Sequence, residues 1–403
     1  MRASSPTTGG APSVTPSPTR PAGNAATDPL PLAQALIRCP SVTPADAGAM
    51  AVLEAALAPL GFTCTRLRFG PAGEEIENLF ARRGVGGPHF CYAGHTDVVP
   101  PGAREGWRDD PFAAVVRDGV LHGRGACDMK GGIAAFIAGL TDWLAANGSR
   151  PGTISLLITG DEEGPAKHGT VRVLEWMAAN GHIPDMALVG EPTSRAALGD
   201  IVKVGRRGSM TAWITLLGTQ GHSAYPQRAD NPIHRLVRVL HRLTATPLDA
   251  GSDFFEASTL QVTGFDVGNT ANNVIPAEAR AMINIRFNDL HTSAALTEHL
   301  HAALRAEEAR YEMRVECSGE SFLTQPGPFV DALQRAVRRA TGVEPLLDTG
   351  GGTSDARFIA RYCPVAELGG VGSTMHKADE CVPVAELRAL AALYRTVLEE
   401  VFA

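Results

Sequence analysis

The 403-residue sequence is poor in aromatic residues, at 6%, and holds only seven cysteines. Those cysteines, at 39, 64, 91, 127, 317, 363 and 381, are scattered and never spaced as CxxC, which argues against a disulfide framework and predicts reduced thiols. An excess of basic charge is also missing. Thirty-six Lys and Arg face 43 Asp and Glu, a formal net charge of −7, so no global basic field recommends nucleic acid as a partner. No stretch approaches the roughly 18 uninterrupted apolar residues of a membrane span, and the N-terminus lacks the apolar core of roughly 7 to 15 residues that marks a secretory signal. A cytoplasmic protein with no membrane partner is expected.

What is present is a chain with 44% hydrophobic and 20% charged residues. A domain averages roughly 100 to 200 residues, so two domains are the first expectation. Residues 1–27 are mostly Pro, Gly, Ser and Thr and cannot bury enough apolar surface to order themselves, so they are expected to form a disordered tail. From Pro31 the pattern becomes α/β. Apolar runs at His89 to Ala93, Thr153 to Thr159 and Met186 to Val189 predict buried strands, and Met129 to Ala146 predicts a helix. Such runs suit a mostly parallel, mixed sheet covered by helices on both faces. Further helices are predicted over about Ala45 to Leu60, Phe329 to Thr341 and Val384 to Phe402, with a strand near Val365 to Leu368.

Between these, the order changes to βαββαβ: Met210 to Leu217, Pro232 to Leu243, Leu260 to Phe265, Ala279 to Phe287, Ser293 to Glu308 and Tyr311 to Cys317. That ferredoxin-like α+β order predicts an insert over residues 208–320, dividing the larger unit into 28–207 and 321–403.

Acidic and histidine residues cluster where predicted strands end. His95 and Asp97 follow one strand, Asp161, Glu162 and Glu163 another, Glu191 a third, and His376 comes after the Val365 to Leu368 segment. Ligands of open α/β sheets bind beyond the carboxyl ends of strands, so these groups are expected to converge. One acid after a strand is ordinarily a helix cap or a solvated turn; four such sites together favour a functional centre. In Gly94-His95-Thr96-Asp97 the imidazole can ligate a metal while Asp97 holds its other N–H. Asp128, in Gly125-Ala126-Cys127-Asp128-Met129-Lys130, stands at a helix mouth, where it could cap the helix or bridge two metals. Gly160-Asp161-Glu162-Glu163-Gly164 packs three acids together, an arrangement whose repulsion a cation relieves. One Glu could then ligate while its neighbour stays free as a general base. Oxygen and imidazole donors suit zinc and admit cobalt or manganese.

These motifs resemble the M20 family of co-catalytic zinc hydrolases, from about residue 30 to the C-terminus. The resemblance implies two divalent metal ions, zinc or cobalt. His95 and Glu191 would hold one, Glu163 and His376 the other, with Asp128 bridging, Asp97 orienting His95 and Glu162 as general base. It also implies a catalytic unit with an inserted dimerisation domain, hence a homodimer. Gly205-Arg206-Arg207-Gly208-Ser209, His222-Ser223-Ala224-Tyr225-Pro226, Asn272-Asn273-Val274 and Gly351-Gly352-Thr353-Ser354-Asp355-Ala356-Arg357 resemble the branch that removes a succinyl group from an amino acid. That branch implies N-succinyl-LL-2,6-diaminopimelate as substrate, with three carboxylates and one ammonium. Arg206 and Arg286 are then the expected carboxylate binders, with Ser209, Tyr225, Asn273, Gly352 and Thr353 nearby, and His222 would stabilise the oxyanion from the partner subunit. Two departures stand out: Cys127 beside Asp128, read as a packing residue, and the variable Gly372-Ser373-Thr374 before His376. Other amidohydrolases or carboxypeptidases of the same family are the nearest alternative; a noncatalytic metal-binding scaffold fits less well, because Glu162 is retained beside the ligand set.

Overall fold

A computed structural model of the protein describes residues 26–148 and 152–403. Residues 1–25 of the expected tail lie outside these. Thr27 is already anchored, its amide and hydroxyl donating to the Asp142 carboxylate at 3.0 and 2.7 Å.

The larger sheet has eight strands in the order Thr63–Phe69, Ile76–Val85, Gly152–Thr159, His89–His95, Met186–Val189, Val365–Glu367, Ile201–Lys203 and Leu346–Asp348. Its four central strands are parallel, with His95 opposite Thr159, Ala93 opposite Val189 and Glu367 opposite Val189 on its other side. Their carboxyl ends therefore open on one edge. The sheet is mixed because Ile76–Val85 pairs antiparallel on both sides and Val365–Glu367 meets Ile201–Lys203 antiparallel. His89–His95 is buried along its whole length, which explains its unbroken apolar run.

Helix Lys130–Asn147 crosses this sheet with most of its residues buried, and helix Val384–Val401 packs on it. Gly139 permits that approach, since a Cβ there would lie 2.4 Å from the Ala391 carbonyl oxygen. Tyr92 and Phe136 stack at 3.9 Å between centroids, and Tyr394 meets both rings edge-on. Fully burying side chains of this size contributes roughly 1.5–3 kcal/mol each.

The intervening residues build a second, four-stranded antiparallel sheet in the order Thr259–Asp266, Glu278–Phe287, Gly208–Leu217 and Arg310–Gly319. Helices Pro232–Thr244 and Ser293–Ala306 complete the expected βαββαβ order. The first is capped by Asn231, which accepts from the Ile233 amide at 3.0 Å, and buries Leu236, Val239, Leu240 and Leu243 at helical spacing. With Ile214, Ile283 and Leu300 they form a core separate from that of the large sheet. The two chain crossings between the sheets lie side by side, Gly205–Arg206 pairing with Phe322–Leu323. All seven cysteines are free. Among the described residues, no helix is long and apolar enough to cross a membrane.

Candidate active site

The parallel centre of the large sheet delivers His95, Glu162, Glu163 and Glu191 to one edge, because each stands at or just beyond the carboxyl end of a neighbouring strand. Asp128 arrives on the turn before helix Lys130–Asn147, and His376 on the loop after Val365–Glu367. His95 Nε2 lies 3.1 Å from Asp128 Oδ1 and 3.7 Å from Glu191 Oε1. His376 Nε2 lies 3.2 Å from Asp128 Oδ2 and 2.8 Å from Glu163 Oε1. Two three-residue groups result, His95 with Asp128 and Glu191, and Asp128 with Glu163 and His376, each with donor atoms within 4.8 Å of one another. They share Asp128, whose two oxygens face opposite histidines. Glu162 lies within the same distance of His95 and Glu163. His376 holds a left-handed backbone, φ 61°, a conformation costly for a side chain and found where surrounding structure imposes it.

The donor set fits cations. The Asp97 carbonyl accepts from His95 Nδ1 at 2.8 Å, and a carbonyl can only accept, so Nδ1 carries a proton and Nε2 is the ring nitrogen turned toward the cluster. Glu191 is pushed well above the usual carboxylate range by burial and by the Asp128 charge. Burial opposes charge on His95, but Asp128 and Glu191 outweigh it and hold the imidazole well above its ordinary pKa. Hydrogen bonds to Asp128 and Glu163 raise His376 to about 10. Burial pushes Glu162 up to about 8, with Asp355, Glu163 and Asp128 adding to the rise and His95 opposing it. Six ionisable side chains are thus crowded together with mutual repulsion among their carboxylates, an arrangement that divalent cations would relieve.

Asp97 acts differently from the expectation. Its backbone oxygen, not its carboxylate, bonds His95; the carboxylate is 3.6 Å from Nδ1 and accepts from the amides of Glu162 and Glu163 at 3.2 and 3.0 Å. It therefore fixes the acidic loop as well as the imidazole. Asp161 turns away, accepting from the Lys167 and His168 amides at 2.8 and 2.9 Å. Cys127 is buried with Sγ 3.3 Å from the Val371 carbonyl, and burial raises its thiol far above the usual range, as a packing residue requires.

Glu380 went unnoticed in the sequence. Fully buried, it accepts from the amides of Gly125, Cys127 and Asp128 at 3.0, 2.8 and 3.0 Å and from Arg124 Nη1 at 2.6 Å. It clamps the turn that presents Asp128.

The expected substrate contacts divide. Thr353 lines the cavity that opens from Glu162 and Glu163. Arg206 is already engaged: Nε donates to Glu367 Oε1 at 2.9 Å, Nη2 to Glu367 Oε2, and Nη1 to the Gly352 carbonyl at 2.9 Å. It is a buried ion pair that holds the Gly352 backbone rather than a free guanidinium. Arg286 is exposed in register opposite Ser209, and donates to Asn284 at 3.2 Å. His222, Tyr225 and Asn273 gather in the paired segments Gly221–His222 and Val274–Ile275 and their flanks. The His222 and Tyr225 rings lie 5.6 Å apart, Ser223 donates to the Asn273 carbonyl at 2.9 Å, and all three side chains are exposed. Among the described residues, none of the three shares a hydrogen bond or ion pair with the carboxylate cluster.

Residues 91–400 match peptidase family M20/M25/M40. The chain is 58% identical over 375 residues to a protein of Gluconacetobacter diazotrophicus named succinyl-diaminopimelate desuccinylase, covering 93% of this chain and 97% of that one. A protein of the same name from Rhodospirillum centenum is 57% identical over 379 residues, covering 94% and 98%. Among solved structures, aminopeptidase PepT of Bacillus cereus superposes with a TM-score of 0.76 at 20% identity, over 93% of this chain and 98% of that one. The Bacillus subtilis YXEP protein, described as a dinuclear metal-binding peptidase, superposes with a TM-score of 0.67 at 16% identity, over 92% and 96%. These two likenesses concern the fold.

Proposed function

The chain belongs to peptidase family M20/M25/M40, and on that premise we propose that it hydrolyses N-succinyl-LL-2,6-diaminopimelate to succinate and LL-2,6-diaminopimelate, a step of diaminopimelate and lysine biosynthesis. The observation that carries this reading is the 58% identity, across nearly the full length of both chains, with a protein named for that reaction.

In this reading His95 and Glu191 would hold one divalent ion and Glu163 and His376 a second, with Asp128 shared between the two groups; zinc is the expected metal and cobalt a substitute. Bound cations would polarise the amide carbonyl and acidify the attacking water. Glu162, beside the ligand Glu163 but itself unassigned, takes the proton of that water as its oxygen bonds the succinyl carbonyl carbon. It returns the proton to the amine nitrogen as the C–N bond breaks, releasing succinate and a free amine. Asp97 keeps Glu162 and Glu163 in place through their amides, and keeps the His95 tautomer through its own carbonyl.

Residues 28–207 and 321–403 form the catalytic unit, and residues 208–320 serve as a dimerisation domain in a cytoplasmic homodimer. The exposed His222, Tyr225 and Asn273 of one copy then complete the site of the other, with His222 stabilising the oxyanion. Metal-reconstituted protein supplied with the succinylated substrate tests the reading by release of succinate. Turnover of N-acetylornithine alone would assign the chain to another activity of the family.

A further inference from the structure

The cavity next to the acidic loop has a volume of about 740 Å³ and lies between Glu162, Glu163 and strand Arg310–Gly319 of the second sheet. Its wall carries two cations, Lys167 and Arg357, and one further acid, Glu316, which is hydrogen-bonded to Arg314. Among the described residues neither Lys167 nor Arg357 forms an ion pair or donates a side-chain hydrogen bond, and Arg357 Nε is buried without an acceptor. Arg357 is nonetheless held in place. Its guanidinium carbon lies 4.4 Å from the Phe358 ring centroid, and its stem runs against Gly319, where a Cβ would come within 2.6 Å of Cδ. Asp355 is buried close enough for the Arg357 charge to act on it, yet neither of its oxygens accepts a hydrogen bond from that guanidinium.

A fixed, unpaired guanidinium beside an acidic centre is arranged to receive an anion. Its planar fork matches a carboxylate through two parallel N–H donors, and stacking has already removed much of the rotamer freedom that binding would otherwise cost. A substrate with three carboxylates entering past Glu162 and Glu163 needs such countercharge, and Arg206, the guanidinium expected to supply it, is committed to Glu367. We propose that Arg357, assisted by Lys167, forms a subsite for a carboxylate of the substrate, either the terminal carboxylate of the acyl group or the one next to the scissile amide. This rests on the reading of the chain as a hydrolase of N-succinylated amino acids.

The test is steady-state kinetics of Arg357→Gln, Arg357→Lys and Lys167→Ala on three compounds: N-succinyl-LL-2,6-diaminopimelate, its N-acetyl counterpart, and the succinyl compound with the carboxylate beside the amide converted to a carboxamide. Analogues that are not turned over are measured as competitive inhibitors. Arg357→Gln is expected to raise KM for the parent about 10- to 100-fold with kcat within a few fold, the pattern of lost uniform binding to a charged group. Arg357→Lys should recover part of it. The penalty should vanish on the N-acetyl compound if Arg357 reads the acyl end, and on the carboxamide if it reads the other. A KM for the parent within twofold of wild type, or an equal penalty on all three compounds, overturns the subsite. If Arg357→Gln does not fold, exposed Lys167→Ala decides: a rise of about two- to fivefold in KM for the parent supports the subsite and an unchanged KM overturns it. Wild-type protein that fails to turn over the parent overturns the activity itself, a separate result.

Discussion

Removing the Glu380 carboxylate should loosen the metal centre without touching a metal donor. Four donors converge on this side chain at 2.6 to 3.0 Å: Arg124 and the amides of Gly125, Cys127 and Asp128. Arg124 is itself 2% exposed, and its guanidinium also lies 5.2 Å from the Trp107 ring centroid. Glu380→Ala would therefore leave a guanidinium buried with no counter-ion, a loss of roughly 3–5 kcal/mol for breaking a buried pair from one side. Total stability is typically about 5–15 kcal/mol, so this variant is expected to unfold at markedly lower denaturant or temperature. Glu380→Gln is the finer test. Its carbonyl oxygen still accepts two of the four bonds, while its NH₂ faces two donors, so the turn persists but is no longer clamped. Outer residues that orient ligands typically change metal affinity about 10- to 100-fold, and Asp128, the residue shared by both groups, is the one displaced. Zinc competition with a chromogenic chelator at neutral pH, run beside circular dichroism, measures this directly. The expected outcome is a folded Glu380→Gln protein with zinc affinity lowered at least tenfold. Wild-type affinity in Glu380→Gln would refute the idea that Glu380 organises the Asp128 turn.

Glu162→Gln should keep both metals, confirmed by elemental analysis, while kcat falls about 10²- to 10⁴-fold; activity within a few fold of wild type would remove Glu162 as the proton carrier. His95→Ala should lose metal together with activity, and chelation of the wild type should abolish turnover until zinc or cobalt is restored. Because the cation-free cluster holds His95 well above its ordinary pKa and His376 at about 10, both are protonated at neutral pH and a cation must displace those protons. Metal uptake should therefore release protons and weaken as pH falls, seen as a calorimetric heat that varies with buffer ionisation enthalpy; a buffer-independent heat would contradict this. A variant of the inserted sheet that stays monomeric in sedimentation should fold yet be nearly inactive, and a fully active monomer would contradict completion of the site across a dimer.

How far the fold could be read from sequence depended on burial. Met186 to Val189 was predicted residue for residue, since the centre of a covered sheet needs a continuous apolar run. Thr63–Phe69 and Ile76–Val85 were missed. They lie at one side of the sheet, and Arg66, Arg68, Arg82 and Arg83 break their apolar runs, leaving half-buried positions that resemble loop composition. Helix Thr170–Ala179 was missed beside the glycine-rich acidic loop, where a side-chain cap is absent. Among the site residues, those beyond parallel strands could be found because strand direction alone sends them to one edge. Glu380 could not, since its partners are amides some 250 positions earlier. Nor could the fate of Arg206, which depends on Glu367 161 positions away.

The placement of His376 and Glu380 in one short segment also explains how a large sheet whose strands come from before and after the second sheet can still present an ordered site. Neither three-residue group depends on the second sheet: His95, Asp128, Glu163 and Glu191 come from before it and His376 from after it. What must be guaranteed is the return of the chain. The returning segment is fastened at several points: Gly123 donates to the Glu380 carbonyl at 2.9 Å, Cys381 pairs with His122, Thr374 Oγ1 donates to the Cys381 carbonyl at 2.8 Å, and Glu386 accepts from the Val371 amide at 2.8 Å. These bonds close a loop around His376 whose ends are tied to the very turn that carries Asp128. The strained φ of His376 can persist because both sides of it are fixed. The donor residues of both groups are thus carried by the large sheet and this clasp, with none supplied by the second sheet.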